Sequence, residues 1–489
     1  MRLPLLPALA LLLASGTLLP VATGTAYAAA VNAVPEVFDL TSERPDTGGA
    51  WCWYQDERVV IDDDAPGGPI LLASTVGFGP EGTPGRGDID LLWRNLATGQ
   101  TGAFTLNTGM PPDDHNSAAI HVRADGRYVA LYARHWGENL IRYRVSTNPH
   151  DPTAWSQEKQ MRHNAEICYS NIVPAKMADG RTRLLNFARS NGYDPNWFVS
   201  EDDGGTWTYG GKLLTGPDGN GAGNQRPYVK YAPGADGSVH FTTTDGHPRD
   251  EDNGVYHGVL RAGKLEASGG TVLGPLAREP RSPHHAADFT ALLTPGQRFA
   301  GVPMHRGWTI DLDVDDDGNP WTVFSARARD DDGDHRFFYA RHDGSSWAVH
   351  EVARAGGYLY KAENDYTGLV ALHPENPDLI FVSTPVDPRD DAKLDRYEIF
   401  KGVTGDGGAS WAWTPVTWDS AEDNTRPVVP RRPGGDTALL WMRGTCHTYK
   451  HWDAKTVGFT ADAAALGRLG VPGQATVTRE ATPPDADAS

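Results

Sequence analysis

The sequence predicts an all-β fold, a single β-propeller of about seven four-stranded antiparallel blades, and three observations support this prediction. The 489 residues include 55 glycines and 36 prolines, and no long stretch has the 3.6-residue periodicity of a helix. Short β-rich runs such as "GRYVALYARH" recur between Asp-Gly turns, and this dipeptide suits tight hairpins. The third observation is a short repeated turn motif.

The repeated motif is an Asp-box, with the pattern S/T-x-D-x-G-x-S/T-W. It occurs as "SEDDGGTW" at Ser200–Trp207 and as "TGDGGASW" at Thr404–Trp411, and "RHDGSSW" at Arg341–Trp347 is a degenerate third copy. Asp-boxes are typical of blade turns in β-propellers, so the motif favours a propeller over a sandwich or a β-helix. At roughly 50–60 residues per blade, the chain holds about seven blades.

The two ends of the chain differ in composition from the middle. The opening "MRLPLLPALALLLASGTLLPVATGTAYAAA" has a basic Arg2, a Leu/Ala run and a cleavage-site pattern at Ala26-Tyr27-Ala28. We therefore expect residues 1–28 to be a secretory signal peptide and the protein to be secreted and extracellular. Residues 29–470 are predicted to form the propeller and catalytic domain. Residues 471–489 are rich in Pro, Ala and Asp, which predicts a disordered tail.

The charge of the chain restricts its partners. A net charge of −19 argues against nucleic acid and anionic membranes, and no other stretch could span a bilayer. An anionic substrate would need a local cluster of Arg and His. The acidic surface and the closed fold favour a monomer. Three cysteines leave at least one thiol unpaired or bound to a metal, and buried apolar packing is expected for at least two of them.

Two histidines frame the stretch "DDHNSAAIHVRADGRYVALYARH", which runs from Asp113 to His135. A two-residue turn at Asp125-Gly126 would pair residues whose numbers sum to 251, so His135 would face Asn116. A loop one residue longer, or one bulge, would place His115 and His135 opposite each other on one face. Without that shift they point to different faces, and two unrelated loop histidines are the alternative.

Several further motifs recur together, in this order, in one known family. The chain resembles the BNR-repeat secreted proteins that include the ulvan lyases and related rhamnose–glucuronate lyases, from Gly48 to about Phe459. The motifs are "GGAWCWYQDERVV" (48–60), "DDHNSAAIHV" (113–122), "CYSNIV" (168–173), "RPYVKY" (226–231), "TDGHPR" (244–249), "DYTGLVALHPENPD" (365–378) and "RGTCHTY" (443–449). The resemblance implies a seven-bladed propeller that cleaves a uronate-containing polysaccharide by β-elimination.

The resemblance also implies an active site. His115 and His135 match two active-site histidines, Tyr169 matches a tyrosine, and Arg189 matches the arginine that faces the uronate carboxylate. The interval between Tyr169 and Arg189 is a few residues longer than usual, around the turn at Asp179-Gly180, where insertions are tolerated.

β-Elimination explains why these residue types are needed. Removing the C5 proton of a uronate requires its carboxylate charge to be neutralised, and a guanidinium does this well. Histidine can be base or acid near neutrality, and so can a tyrosine beside a cation. We therefore expect His115 or Tyr169 as base, His135 or Tyr169 as acid, and Arg189 as neutraliser, with no cofactor for catalysis.

Other candidates surround this set. Asn116, Arg226, Tyr228 and Trp136 are predicted to bind substrate, and their alternatives are an Asx-turn residue for Asn116 and packing roles for the others. A thiolate and several imidazoles favour a structural Zn²⁺, and a structural Ca²⁺ is the other metal considered. The predicted ligands are Cys446, His447 and His247, with a buried cysteine and unrelated histidines as the alternative.

Two other functions fit a propeller of this kind. A sialidase-like glycoside hydrolase would need an arginine triad, a Tyr/Glu pair and an acid/base Asp, and the sequence lacks an Arg-Ile-Pro-type start. A rhamnosidase on the same scaffold is harder to exclude. The third possibility is a non-catalytic carbohydrate-binding propeller, which would have no reason to bring His, Tyr and Arg together.

Overall fold

A computed structural model of the protein describes residues 32–217, 226–279 and 281–486. These residues form a seven-bladed β-propeller with four-stranded antiparallel sheets, as the sequence predicts. The predicted signal peptide, residues 1–28, lies outside the described residues. In the described part of the chain, no helix is both long and apolar enough to cross a bilayer.

The first four blades follow one another along the chain. Blade 1 contains Val59–Asp62, Ile70–Val76, Ile89–Asn95 and Thr101–Asn107; blade 2 contains Ala119–Val122, Tyr128–Tyr132, Leu140–Val145 and Lys159–Arg162. Blade 3 contains Cys168–Lys176, Thr182–Ser190, Asp194–Ser200 and Thr208–Lys212; blade 4 contains Val229–Pro233, Val239–Thr244, Val255–Arg261, Lys264–Ala267 and Val272–Pro275, and Thr290–Leu293 pairs with its third strand.

The remaining blades complete the ring. Blade 5 contains His305–Val314, Pro320–Arg327, His335–His342 and Trp347–Gly356; blade 6 contains Val370–His373, Asn376–Val386, Lys393–Val403 and Ser410–Pro415; blade 7 contains Asn424–Val428, Thr437–Thr448 and His451–Ala461. A hairpin of Arg298–Phe299 and Val302–Pro303 lies between blades 4 and 5. The described helices are the 3-10 turns Leu40–Glu43, Asp114–Asn116, Asn191–Tyr193 and Ala286–Asp288, and the α-helix Ala463–Gly467.

The N-terminal strand closes the ring. Phe38–Asp39 is the outer strand of blade 7, with Phe38 opposite Gly458. Apolar side chains of blades 1 and 7 pack in one cluster, in which Leu71 and Leu440 are fully buried. The first and last blades are therefore joined by a strand pairing and by a shared core.

The C-terminal segment is ordered, so the predicted disorder of residues 471–489 is wrong for the described residues 471–486. Val477–Glu480 pairs with Ser410–Trp413 and adds a fifth strand to blade 6. The outer strand of that blade otherwise presents unpaired N–H and C=O groups, which another strand can satisfy. The sheet structure consequently continues ten residues beyond the predicted boundary at residue 470.

The two repeated turns have the same hydrogen bonds. In the first, the Ser200 hydroxyl donates to Asp202 over 2.9 Å, and the Thr206 N–H donates to the same carboxylate over 2.8 Å. In the second, Thr404 and Ser410 donate to Asp406 in the same way, over 2.8 and 2.9 Å. Each turn joins the third and fourth strands of its blade.

The connections of the sheets divide the ring into two faces. In an antiparallel sheet, successive connections alternate between the two ends of the strands. Connections between second and third strands therefore lie on the same face as connections from one blade to the next. We call this the upper face, and the repeated turns lie on the other, lower face.

Candidate functional site

The four predicted catalytic residues all belong to the upper face. His115 lies in the connection from blade 1 to blade 2, and His135 follows the second strand of blade 2. Tyr169 begins the first strand of blade 3, and Arg189 lies near the end of its second strand. All four are buried, between 3% and 8% exposed, and the Tyr169 ring contacts both imidazoles and the Arg189 guanidinium. We call this cluster, with the small pocket that Tyr169 and Arg189 line, the cleft.

The hairpin that carries the histidines has a different register from the one predicted. Ala119 pairs with Leu131 and Ile120 with Ala130, so paired numbers sum to 250 rather than 251. This is the shift by one residue that places His115 opposite His135. Their rings are stacked, with centroids 4.1 Å apart and planes 6° from parallel.

One carboxylate, which the sequence analysis missed, joins the two imidazoles. His115 Nδ1 lies 2.8 Å from one oxygen of Asp113, and His135 Nδ1 lies 3.0 Å from the other. Asp114 is also close, with one oxygen 2.7 Å from His115 Nδ1 and the other 2.6 Å from a guanidinium nitrogen of Arg426. The only signal for Asp113 in the sequence is its place two residues before His115.

The two imidazoles have pKa values that differ in opposite directions from the ordinary value. Burial and the neighbouring charge of His115 lower the pKa of His135 to about 4. Burial alone would lower the pKa of His115, but Cys52, Asp114 and Asp113 raise it well above its usual value. Burial would also raise the pKa of Asp113, yet the two imidazoles hold it below its usual range. At neutral pH, the pair therefore carries one positive charge, on His115.

The two imidazoles differ in how many of their ring nitrogens are bonded to described residues. His115 Nε2 lies 3.2 Å from the Tyr366 hydroxyl, while His135 Nε2 has no hydrogen-bond partner among the described residues. Asn116 holds the backbone of His135 in place, because its side-chain oxygen accepts a hydrogen bond from the backbone N–H of His135 over 2.8 Å. The Asn116 amide nitrogen donates to Pro111 O, and its side chain is fully buried. Both polar atoms of the Asn116 side chain are therefore bonded within the protein, and its role in substrate binding stays a prediction.

A β-bulge presents Tyr169 to the cleft. Cys168 pairs with Arg189, but Asn171 pairs with Phe187, so one extra residue is inserted after Cys168. Tyr169 itself has a left-handed backbone, with φ of 62°, an uncommon conformation that is often found at functional sites. Its ring centroid lies 5.6 Å from the ring of each histidine.

Arg189 is buried, and no carboxylate among the described residues pairs with it. Its guanidinium lies 4.9 Å from the ring of Tyr169 and 4.4 Å from the ring of Tyr228. Five of the six buried arginines in the described ranges form an ion pair with a carboxylate, and Arg189 does not; the five are Arg58, Arg142, Arg327, Arg336 and Arg426. Arg189 Nε and Nη1 and the Tyr169 hydroxyl are buried with no hydrogen-bond partner in the described part of the chain.

These unsatisfied donors have a clear chemical meaning. Buried polar groups in proteins are almost always hydrogen-bonded, and an unpaired buried charge is costly. Burial raises the pKa of Tyr169 well above its usual value, and Arg189 only partly offsets this. The site therefore offers a permanent cation and a protonated hydroxyl side by side, which together suit a carboxylate-bearing ligand.

The other predicted substrate-binding residues line the same cleft. Tyr228 is buried against Arg189, and Trp136 is half-buried with its ring 5.1 Å from that of His135. The Arg226 guanidinium lies 5.9 Å from the Trp136 ring and 3.6 Å from Asp250. Tyr449, which the analysis did not single out, has its ring 5.1 Å from that of His115 and perpendicular to it, at 87°.

The predicted metal ligands do not come together. Cys446 is buried in the core between blades 1 and 7, and His447 is exposed, because successive residues of a strand point to opposite faces. His247 lies elsewhere, 3.5 Å from Glu363. Within the described ranges, the groups whose ligand atoms approach within 4.8 Å of one another are Asp113, His115 and His135, and Cys52, Asp114 and His115. The predicted set of Cys446, His447 and His247 is therefore wrong.

The fold and the cleft together define a seven-bladed β-propeller with a buried cluster of polar and aromatic side chains on its upper face. The chain belongs to the BNR repeat-containing family, whose model matches residues 85–355. No curated protein matches the chain. This membership confirms the family resemblance expected from the motifs.

Solved structures agree in fold. A structure described as a new family of polysaccharide lyase, PL25 ulvan lyase, bound to -[GlcA(1-4)Rha3S]-, has a TM-score of 0.59 and 15% identity, and the match covers 87% of this chain and 98% of that one. A second structure of a PL25 ulvan lyase has a TM-score of 0.58 and 14% identity, covering 87% and 99%. At this identity the similarity establishes the fold.

Proposed function

We propose that the protein is a secreted polysaccharide lyase that cleaves an anionic, uronate-containing polysaccharide by β-elimination. The observation that carries the proposal is Arg189, a buried guanidinium with no carboxylate beside it in the described chain and with two unsatisfied nitrogens. A uronate carboxylate would supply the missing anion. Its charge would then be neutralised at the point where the reaction needs this most.

The proton acceptor is His135. Its Nε2 has no hydrogen-bond partner in the described chain, and its pKa of about 4 keeps it neutral at ordinary pH, whereas both nitrogens of His115 are engaged. The sequence led us to expect His115 or Tyr169 as base and His135 or Tyr169 as acid, so this proposal differs in making His135 the base. His115 and Asp113 act as positioning residues, because they hold the ring of His135 and set its charge state.

The proton donor is Tyr169, whose raised pKa keeps the hydroxyl protonated. In the proposed step, His135 takes the C5 proton, the bond between C4 and its oxygen breaks, and a C4–C5 double bond forms. The departing oxygen receives the Tyr169 proton, and proton exchange with solvent restores both side chains. Each role is filled by a side chain of this protein, so we propose no cofactor for catalysis.

The hydrogen bonds of the acidic residues favour elimination over glycoside hydrolysis. Most glycosidases use two carboxyl groups that flank the scissile bond. Here Asp113 is hydrogen-bonded to both imidazoles, Asp114 is paired with Arg426, and Glu363 is paired with Arg249. All three carboxylates are engaged with other side chains of the cleft.

A panel of polymers tests the proposal. Ulvan, gum arabic glycan and other uronate polymers are incubated with the protein, while ultraviolet absorbance and new reducing ends are followed together. A lyase produces both signals, since the 4,5-unsaturated uronate absorbs in the ultraviolet. Reducing ends without absorbance would identify a hydrolase, and binding without either signal would identify a carbohydrate-binding propeller; either result would overturn the proposal.

A further inference from the structure

Aromatic rings continue outward from the catalytic pair along the upper face. The Trp136 ring lies 5.1 Å from His135, and the Tyr193 ring lies 5.4 Å from Trp136. Trp136 belongs to the connection between the second and third strands of blade 2, and Tyr193 to the equivalent connection of blade 3. We call Trp136 and Tyr193 the aromatic platform.

Tyr193 is unusual in two ways. At 36% exposure, it is the only exposed aromatic residue in the described part of the chain. Its backbone is left-handed, with φ of 61°, and it follows Gly192, which has φ of 75°. Ser190 and Asp194 form the last strand pairing of the hairpin that carries Arg189. Gly192 and Tyr193 lie at the tip of this hairpin. Exposure of an aromatic ring and an uncommon backbone conformation both oppose stability, and both are typical of binding sites.

The guanidinium of Arg226 lies beside the aromatic platform. The Arg226 guanidinium lies 5.9 Å from the Trp136 ring, and its Nε is buried with no hydrogen-bond partner among the described residues. Its carboxylate neighbour, Asp250, is 3.6 Å away, farther than a hydrogen bond. The Arg226 guanidinium therefore retains a donor that a ligand on the platform could use.

We propose that the aromatic platform stacks against the sugar that adjoins the uronate held by Arg189, and that Arg226 donates to an anionic substituent of that sugar. The inference rests on the proposed function. Aromatic faces present a large apolar area with a polar edge, which suits the face of a sugar ring. Because Trp136 touches His135, a sugar on the platform is next to the one that loses its proton.

The chemistry of this subsite narrows the substrate class. A guanidinium recognises a sulfate ester or a second carboxylate through paired hydrogen bonds. We therefore expect a polymer in which the uronate alternates with a sugar that carries a negative group. Such a polymer would satisfy Arg189 and Arg226 with two separate anions.

The test compares Tyr193→Ala with Tyr193→Phe, and Trp136→Ala with Trp136→Phe. Val272→Ala is the control, because Val272 is an exposed apolar residue (52%) in the outermost strand of blade 4. The measured quantities are kcat and KM on ulvan and on a tetrasaccharide of alternating glucuronate and rhamnose 3-sulfate. We expect the Tyr193→Ala variant to raise KM about three- to tenfold with little change in kcat, as loss of one aromatic contact predicts. The control should behave as the wild type, and each Phe variant, which keeps an aromatic face, should have a KM nearer to that of the wild type than its Ala counterpart has.

Sulfation tests the role of Arg226 separately. Arg226→Gln should raise KM for ulvan and have little effect on desulfated ulvan, whereas a purely structural role would affect both polymers equally. If the wild type cleaves ulvan but Tyr193→Ala has the KM of Val272→Ala, the platform is wrong and the proposed function stands. If the wild type neither binds nor cleaves any uronate polymer, as followed by tryptophan fluorescence and absorbance, the proposed function fails and the platform with it.

Discussion

Cationic side chains lie at both mouths of the propeller, but they are paired with carboxylates at the lower mouth only, as far as the described residues show. At the lower mouth, a cavity of about 340 Å³ is lined by the first strands of several blades and by residues that flank them, which include Asp56, Arg58 and Arg431. Asp56 accepts from Arg58 over 2.6 Å and also from Lys230, and Arg431 is paired with Asp313 over 2.6 Å. At the upper mouth, Arg189 faces aromatic rings and has no carboxylate beside it in the described chain.

This difference separates stability from function. A buried ion pair is self-sufficient, and removing one member leaves an uncompensated charge that destabilises the fold. An unpaired buried cation is already costly, and it persists where a ligand supplies the missing charge. Burial by itself does not distinguish Arg189 from Arg58, which are 5% and 6% exposed. The two arginines are distinguished by their partners: Arg58 is paired with Asp56, and no carboxylate among the described residues is paired with Arg189.

The largest expected effect is at the upper mouth. Arg189→Met keeps most of the side-chain volume and removes the charge, so we expect kcat/KM to fall about a thousandfold, or roughly 4 kcal/mol of transition-state stabilisation. The melting temperature should not fall, because no ion pair is lost. Initial rates and thermal unfolding measure the two quantities. A variant that unfolds at a much lower temperature would show that Arg189 is structural.

The lower mouth should give the opposite result. Asp56→Asn leaves Lys230 and Arg58 without their anion, so we expect the free energy of unfolding to fall by about 3 kcal/mol. Chemical denaturation measures this, and kcat of the folded protein should be largely retained. Equal stability of this variant and the wild type would remove the distinction between the two mouths.

The histidine pair predicts a particular pH dependence. We expect kcat/KM to rise as pH increases through about 4, where His135 becomes neutral. His115→Gln removes the neighbouring positive charge and should move this acid limb to higher pH, as pH–rate profiles would show. An unmoved limb would exclude His135 as the base.

The same pair affects stability. Between about pH 4 and the ordinary histidine pKa near 6.5, the unfolded chain binds a proton that His135 in the folded protein does not. The free energy of unfolding should therefore rise with pH over this interval. His115 has a raised pKa, so its contribution to the free energy of unfolding depends on pH in the opposite sense. That contribution is complete below about pH 6.5 and is lost as pH rises through the higher pKa of His115 in the folded protein.

The smallest expected effect concerns the support of His115. Tyr366→Phe removes a hydroxyl that lies 3.2 Å from His115 Nε2, so we expect a loss of about 1 kcal/mol in stability, typical of one hydrogen bond. The change in kcat should be a few-fold at most, because Asp113 still holds both rings. A loss of activity as large as that of Arg189→Met would make Tyr366 part of the catalytic machinery.

Local patterns predicted the fold well. Short strands between Asp-Gly turns and the repeated turn motif indicated a propeller, and each repeated turn joins the third and fourth strands of a blade. The hairpin of His115 and His135 was predicted apart from its register, because the connection of residues 123–127 is longer than the two-residue turn assumed. The order of residues 471–486 was missed, because a strand four residues long in a polar segment leaves no clear pattern.

The site was predicted in part, and its missing members lie far apart in the chain. Asp113 could have been found beside His115, but its role as a bridge depends on where the His135 ring points. Tyr366 and Tyr449 reach His115 only because the ring of blades closes. The predicted set of Cys446, His447 and His247 failed because proximity in sequence ignored the alternation of side chains along a strand.

The geometry of the cleft depends on closure of the ring by the strand Phe38–Asp39. Tyr449, from blade 7, accepts the Asp114 N–H through its backbone oxygen over 2.9 Å, although Asp114 belongs to the connection between blades 1 and 2. Detaching the closing strand would let blades 1 and 7 move apart and would draw Tyr449 away, although the sheets of the other six blades and three strands of blade 7 would remain. Turnover would then cease in a protein whose circular dichroism changes little. Activity should therefore depend on closure of the ring of blades, which a measurement of secondary-structure content does not report.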